Sequence, residues 1–297
     1  MTPKKVIHID RLELTYTATQ TMVNNFADFK VKEHRRFNDI IVYREQSVHY
    51  QNEFSIWIKE CRDGILVERL WGYMKYGSYN KNRPFIYILL ENNILYDEQA
   101  FELRFHIEKL LGLKYKRVSK LDICVDFNYN VVKRFYSLFK DETFGLYVNG
   151  RLIKSMTERI KSIQHLAANN TRKRAFADHA PIMKNKDKSL CFTAYNKAKE
   201  IEESGKEYQH QKGFLRHYRF EVRCSNYKRL HTSLKNLGLS DDELYARLQD
   251  EVTLYALFKD ILDRLIYFRR GKKKVDLLSE MSKPREKNTA KALKVSG

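Results

Sequence analysis

Val118-Ser119-Lys120-Leu121-Asp122-Ile123-Cys124-Val125-Asp126-Phe127 alternates without a break from Leu121 onward. Successive side chains on a strand point to opposite faces, so Leu121, Ile123, Val125 and Phe127 share one side and Asp122, Cys124 and Asp126 the other. Aspartate is disfavoured in strands, because it offers no apolar area and competes for backbone hydrogen bonds. Two on one face therefore need a positively charged partner. The stretch predicts a sheet with one dry face, covered by helices, and one charged face left open.

The same alternation recurs downstream. Leu190, Phe192 and Ala194 oppose Ser189, Cys191, Thr193, Tyr195 and Lys197; Tyr218, Phe220 and Val222 oppose His217, Arg219, Glu221 and Arg223. Upstream, β-rich runs at Val6 to Tyr16, Ile40 to Tyr43, Phe54 to Lys59 and Phe85 to Leu90 make the first 95 residues strand-dominated. Helical spacing appears between Asp97 and Gly112 (Leu103, Ile107, Leu110, Leu111) and around Val131 to Phe139. It appears again after the capping box Ser240-Asp241-Asp242-Glu243, with Leu244, Leu248, Val252 and Tyr255 on one apolar face. The fold class expected is α+β: an antiparallel sheet, helices on one face and a helical C-terminal region. Residues 1–95 read as an N-terminal β-rich region that could bind a DNA origin, 96–270 as the chemistry-bearing region, and 271–297, where apolar periodicity is lost, as a basic disordered tail.

With 297 residues, 43% of them hydrophobic, the chain can bury a large core, and its net charge of +19 points to a polyanionic partner, nucleic acid before anionic membrane. The four cysteines show no metal-ligand spacing and read as reduced core or strand residues. No signal-peptide core or membrane-length apolar stretch is present, so a cytoplasmic location is expected, with no membrane partner.

Two readings of the charged face compete. In one, Asp122, Asp126 and Glu221 pair with Arg219, Arg223 or lysines, as in a non-catalytic DNA-binding protein. In the other they hold a hard cation, Mg²⁺ or Mn²⁺. Residues four apart on a strand lie roughly 13 Å apart, too far for one ion, so Asp122 with Glu221 is the favoured pair and Asp126 the weaker candidate. Tyr195, one of nineteen tyrosines, has Lys197 as its nearest cation; a phenol of ordinary pKa near 10 needs such help to attack a phosphate. The candidate DNA contacts are basic: Arg35, Arg36, Lys116, Arg117, Arg172, Lys173, Arg174, Arg219 and Arg223.

Three segments, Val118 to Asp126, Phe192-Thr193-Ala194-Tyr195-Asn196-Lys197-Ala198-Lys199-Glu200 and Tyr218-Arg219-Phe220-Glu221-Val222-Arg223, resemble in type and order the rolling-circle replication initiators of filamentous phages, the gene II/X type, and the related plasmid initiators and relaxases. The resemblance covers the middle of the chain. It implies a tyrosine endonuclease of a bacterial host's cytoplasm, acting on origin DNA, with Tyr195 as nucleophile, Lys197 assisting, and Asp122 and Glu221 near a metal. The His-hydrophobe-His motif of the wider superfamily is absent. A conjugative relaxase would use the same chemistry, and with no G-x-x-x-x-G-K-[ST] motif the expected further partners are a host helicase and polymerase.

Overall fold

The computed structural model describes residues 5–78, 85–159, 179–204 and 218–282. Two long strands, β1 (Lys5–Ala18) and β7 (Leu113–Phe127), pair antiparallel along their length and form the spine of a ten-stranded sheet. Beyond β7 lie β12 (Tyr218–Cys224), β11 (Leu190–Asn196) and β10 (His179–Lys184). Beyond β1 lie β6 (Ile86–Leu90), β5 (Ile65–Ser78), β4 (Tyr50–Arg62), β3 (Ile40–Glu45) and β2 (His34–Phe37). The N-terminal strands thus join the same sheet as the three motif strands. Every neighbouring pair is antiparallel, the class expected.

The alternation of β7, β11 and β12 sets the core. Leu121, Ile123, Val125, Phe127, Phe192, Phe220 and Val222 are all buried on the dry face, beneath α5 (Val131–Lys140), α7 (Tyr227–Leu237) and α9 (Glu251–Leu265). Fully burying such a side chain is worth ~1.5–3 kcal/mol. On the far half, α1 (Gln20–Phe26) supplies Met22 and Phe26, and Phe26 packs edge-on against Phe54. Gly112, at φ +72, ends α4 (Arg104–Leu111); a Cβ there would lie 2.5 Å from the Met22 backbone nitrogen, so only glycine lets β7 start beside α1.

A smaller sheet of β9 (Arg151–Ile153), β8 (Gly145–Val148), β13 (Ile266–Arg270) and β14 (Lys273–Val275) packs on the helical side. Phe135 of α5 joins the two sheets, with ring centroids 5.8 Å from Phe192, 5.9 Å from Phe220 and 6.1 Å from Phe268.

Three sequence expectations need correction. The Asp97–Gly112 helix is two, α3 (Glu98–Glu102) and α4, breaking at Leu103. The helix after Ser240 stops at Ala246 (α8, Asp241–Ala246), and Asp250 caps α9 anew by accepting from the Thr253 N–H. That second cap resets the helical phase, and Val252, expected on the apolar face, is 76% exposed. The expected tail begins too early: residues 273–275 form β14, and α10 (Leu277–Ser282) buries Leu277, Leu278 and Met281. Those three apolar residues were too short a run to register as a period. Residues 283–297 lie outside the described residues. No described helix is long and apolar enough to cross a membrane.

Candidate active site

Strand register brings the charged sides of β11, β12, β7 and β1 together. Thr193 stands opposite Glu221 and Tyr195 opposite Arg219; across the next gap Glu221 faces Cys124, Arg219 faces Asp126 and Arg223 faces Asp122. The Tyr195 hydroxyl donates a 2.8 Å hydrogen bond to Glu221 Oε2, while Arg223 Nε donates to Oε1 at 2.5 Å. The Arg223 guanidinium reaches Asp122 only at 3.9 Å. Tyr195, Glu221 and Asp122 are all buried; Arg223 is half exposed.

Electrostatics follow from this crowding. Burial, reinforced by the Glu221 charge, raises the Asp122 carboxyl from 3.8 to about 7. Burial also pushes the Tyr195 phenol well above its ordinary range; Arg219 works against this, and the Glu221 and Asp10 carboxylates add to it. The phenol is thus protonated at rest, with its proton directed at a carboxylate.

Beside this pair lies a hub around Arg219, which is fully buried. Its Nε and Nη2 grip the two Asp126 oxygens at 2.7 and 3.0 Å, Nη1 meets Asp10 at 2.5 Å, and Nη2 lies 3.1 Å from His8 Nε2 and 3.2 Å from the Tyr96 hydroxyl. Tyr96 in turn donates to Asp10 at 2.7 Å. Asp10 is the extra residue of a β-bulge between Ile9 and Arg11, which turns its carboxylate toward Arg219. Burial would raise the Asp10 carboxyl, but Arg219 and then Lys197 override it and hold it far below the usual range.

His8, Cys124 and Asp126 each place a donor atom within 4.8 Å of the others, a metal-like spacing. Arg219 occupies that cluster, with its fork on Asp126 and its Nη2 against His8, so a guanidinium already supplies the positive charge there. The Asp122 and Glu221 pair differs. Arg223 is half exposed and serves Glu221 at 2.5 Å while reaching Asp122 only at 3.9 Å, so one close cation stands against two buried carboxyls. Two oxygen donors in that state suit a hard divalent ion.

Several expected roles shift. Arg219 cannot touch DNA while buried, because its five donors are needed by Asp126, Asp10 and their neighbours. Lys197 is not on the Tyr195 strand face: β11 ends at Asn196, and Lys197 opens α6 (Lys197–Ser204), where it is buried and paired with Glu200 at 2.5 Å. Its Nζ still comes within 5.7 Å of the Tyr195 ring centroid. Arg35 donates to the carbonyls of Asn25 and Ala27 and covers the Phe29 ring, so it serves the loop before β2. Arg36 is exposed on β2, at the opposite end of the sheet, seven strand steps or roughly 33 Å from β12. Lys116 is exposed near Phe85, and Arg117 sits 4.1 Å from the Tyr227 ring centroid. Arg172, Lys173 and Arg174 lie outside the described residues.

Sequence reasoning missed His8, Asp10 and Tyr96. The first two were within reach, since Ile7 and Ile9 alternate with His8 as the dry residues of β7 do with its acids. Tyr96 follows α2 (Asn92–Leu95) and carries no local signal; it arrives because β6 pairs with β1 only over Glu13–Tyr16 and the segment after β6 crosses the free edge beyond.

No family model matches the chain, and no curated protein matches it. Among solved structures it is similar to the rolling circle replication initiator protein from Geobacillus stearothermophilus, at 13% identity over 94% of this chain and 96% of that one, with a TM-score of 0.48.

Proposed function

We propose that this chain is a DNA nicking and joining enzyme that initiates rolling-circle replication. Tyr195 attacks a backbone phosphate of origin DNA and keeps the 5′ end. The observation that carries this reading is the buried hydrogen bond from the Tyr195 hydroxyl to Glu221, beside Asp122, in a chain of net charge +19. The order of the three motif strands supports it.

In the cleavage step the phenolic oxygen bonds to phosphorus as the bond to the 3′ oxygen breaks. The phenolic proton passes to Glu221, and the 3′ oxygen leaves as a hydroxyl, taking up a proton. Lys197 and Arg219 favour negative charge on Tyr195 during attack. Rejoining is the reverse, with a 3′-hydroxyl attacking the phosphotyrosine, so neither step needs ATP. Asp122 and Glu221 are the residues that would hold Mg²⁺ or Mn²⁺, whose contribution would be Lewis-acid polarisation of the phosphate. Arg223, Arg36, Lys116 and Arg117 are the described residues proposed to bind phosphates; a host helicase and polymerase would extend the freed end.

The test incubates the chain with supercoiled plasmid and with a randomised single-stranded pool in Mg²⁺ or Mn²⁺. A denaturation-resistant protein–DNA adduct, mapped to Tyr195 by mass spectrometry and lost in Tyr195→Phe, is expected. An adduct that survives in Tyr195→Phe refutes the assignment, and the absence of any adduct favours a binding protein.

A further inference from the structure

The run Arg269-Arg270-Gly271-Lys272-Lys273-Lys274 is not used by the proposed site, yet the structure folds it into the β13–β14 hairpin. In the small sheet, Ile266, Phe268 and Leu146 point inward and are buried. The outward positions are of another kind. Tyr267 stands directly opposite Tyr147, Tyr147 opposite Leu152, and Arg269 opposite both Lys274 and Gly145.

The two tyrosine rings stack at 4.6 Å between centroids and 8° between planes. Lys274 Nζ sits 4.4 Å from the Tyr267 centroid, and the Arg269 guanidinium lies 5.4 and 5.8 Å from the two rings. Leu152, 39% exposed, extends the apolar row. Gly145 keeps the floor beside Tyr147 and Leu152 low. Beside this row Arg269 is exposed on the same face and Lys272 is exposed in the adjoining turn, and neither makes an ion pair among the described residues; Lys274 pairs with Asp263 at 2.9 Å, while Arg151, Arg270 and Lys273 alternate to the other face.

We infer that this face is a second DNA-binding surface, specific for single strands. Aromatic and aliphatic groups in a row suit unpaired bases, whose faces are open for stacking, and the surrounding unpaired cations suit the phosphates. A duplex hides its base faces and offers only phosphates to such a surface. The face is separate from the one bearing Tyr195, because the small sheet is reached from the dry side of the large one, through Phe135. In a nicking enzyme it would hold displaced strand, but the inference rests on the patch itself and not on the chemistry at Tyr195.

The experiment is fluorescence anisotropy of the full chain with a labelled 20-mer of oligothymidylate in EDTA, which prevents metal-dependent cleavage. Tyr147→Thr with Tyr267→Thr, both good strand formers, should weaken binding at least tenfold. Tyr147→Phe with Tyr267→Phe should bind as the parent does. Arg269→Gln with Lys272→Gln should reduce the slope of log affinity against log salt by about 1.4. Tyr195→Phe should retain full affinity, which separates this proposal from the nicking one. Unchanged affinity in the double threonine variant overturns the proposal, as does equal weakening toward a duplex of the same length. Tighter binding of oligouridylate RNA, lost in the same variant, would assign the face to RNA instead. Circular dichroism melts of each variant show whether the sheet remains folded, and photocrosslinking of 5-iodouracil DNA to Tyr147 or Tyr267 in the parent chain provides a readout independent of variant folding.

Discussion

The Tyr195 hydroxyl donates to Glu221 Oε2 at 2.8 Å, across the β11–β12 pair, from one buried side chain to another. In the proposed mechanism that bond makes Glu221 the proton acceptor for attack. Glu221→Gln keeps the shape but removes the basic oxygen, so adduct formation should slow by ~10²–10⁴-fold, the usual worth of general-base help. Rapid-quench kinetics on a cleavable oligonucleotide would measure it. A loss under tenfold would remove Glu221 from the mechanism.

Arg219 is held on both sides by acids, and its substitution should affect stability before chemistry. Arg219→Met leaves Asp126, itself fully buried, without its cation, at a cost of ~3–5 kcal/mol. Arg219→Lys should recover only part of this, because an ammonium cannot reproduce the two-pronged grip on Asp126. Urea denaturation of the three chains would rank them.

The Asp122 carboxyl, raised by burial and by Glu221 from 3.8 to about 7, sets a pH dependence. Between about pH 4 and 7 the folded chain keeps this proton while the unfolded chain has lost it. The site's contribution to stability therefore falls as pH rises through that window and is level above it. In EDTA, Asp122→Asn should remove that fall and melt higher than the parent at pH 8. A parent that gains stability relative to the variant from pH 4 to 7 would contradict the assignment.

Divalent ions should reverse that disadvantage. At pH 8, Mg²⁺ or Mn²⁺ at a hundredfold excess over Kd should stabilise the parent by about 2.7 kcal/mol and leave Asp122→Asn unmoved. Thermal melts with and without the ion check this.

Phe135 contacts rings from both sheets, so Phe135→Ala should cost ~3–5 kcal/mol and loosen the small sheet. Hydrogen exchange in β13 should rise more than in β1.

The dry face and helix α5 could be read directly, because alternation and helical spacing are properties of neighbouring residues. The same rule put Asp122, Tyr195 and Glu221 on the charged face, but it was the order of the three motif segments that singled Tyr195 out from nineteen tyrosines. The break before Asp250 was harder, since a second cap interrupts a continuous apolar pattern. The β14 strand and α10 escaped because a basic hairpin and a six-residue helix have little periodicity of their own.

By itself the sequence determined which residues of each strand face the core and which carry charge, since that follows from a period of two within a single strand. Tertiary structure alone decided who meets whom. Arg219 finds Asp10 across 209 positions of sequence, through a bulge and a strand order in which β1 lies beside β7 and β7 beside β12. The pairing of distant strands is set by their joint packing on one core, so the fate of Arg219, buried partner and not DNA contact, was not encoded in its own neighbourhood.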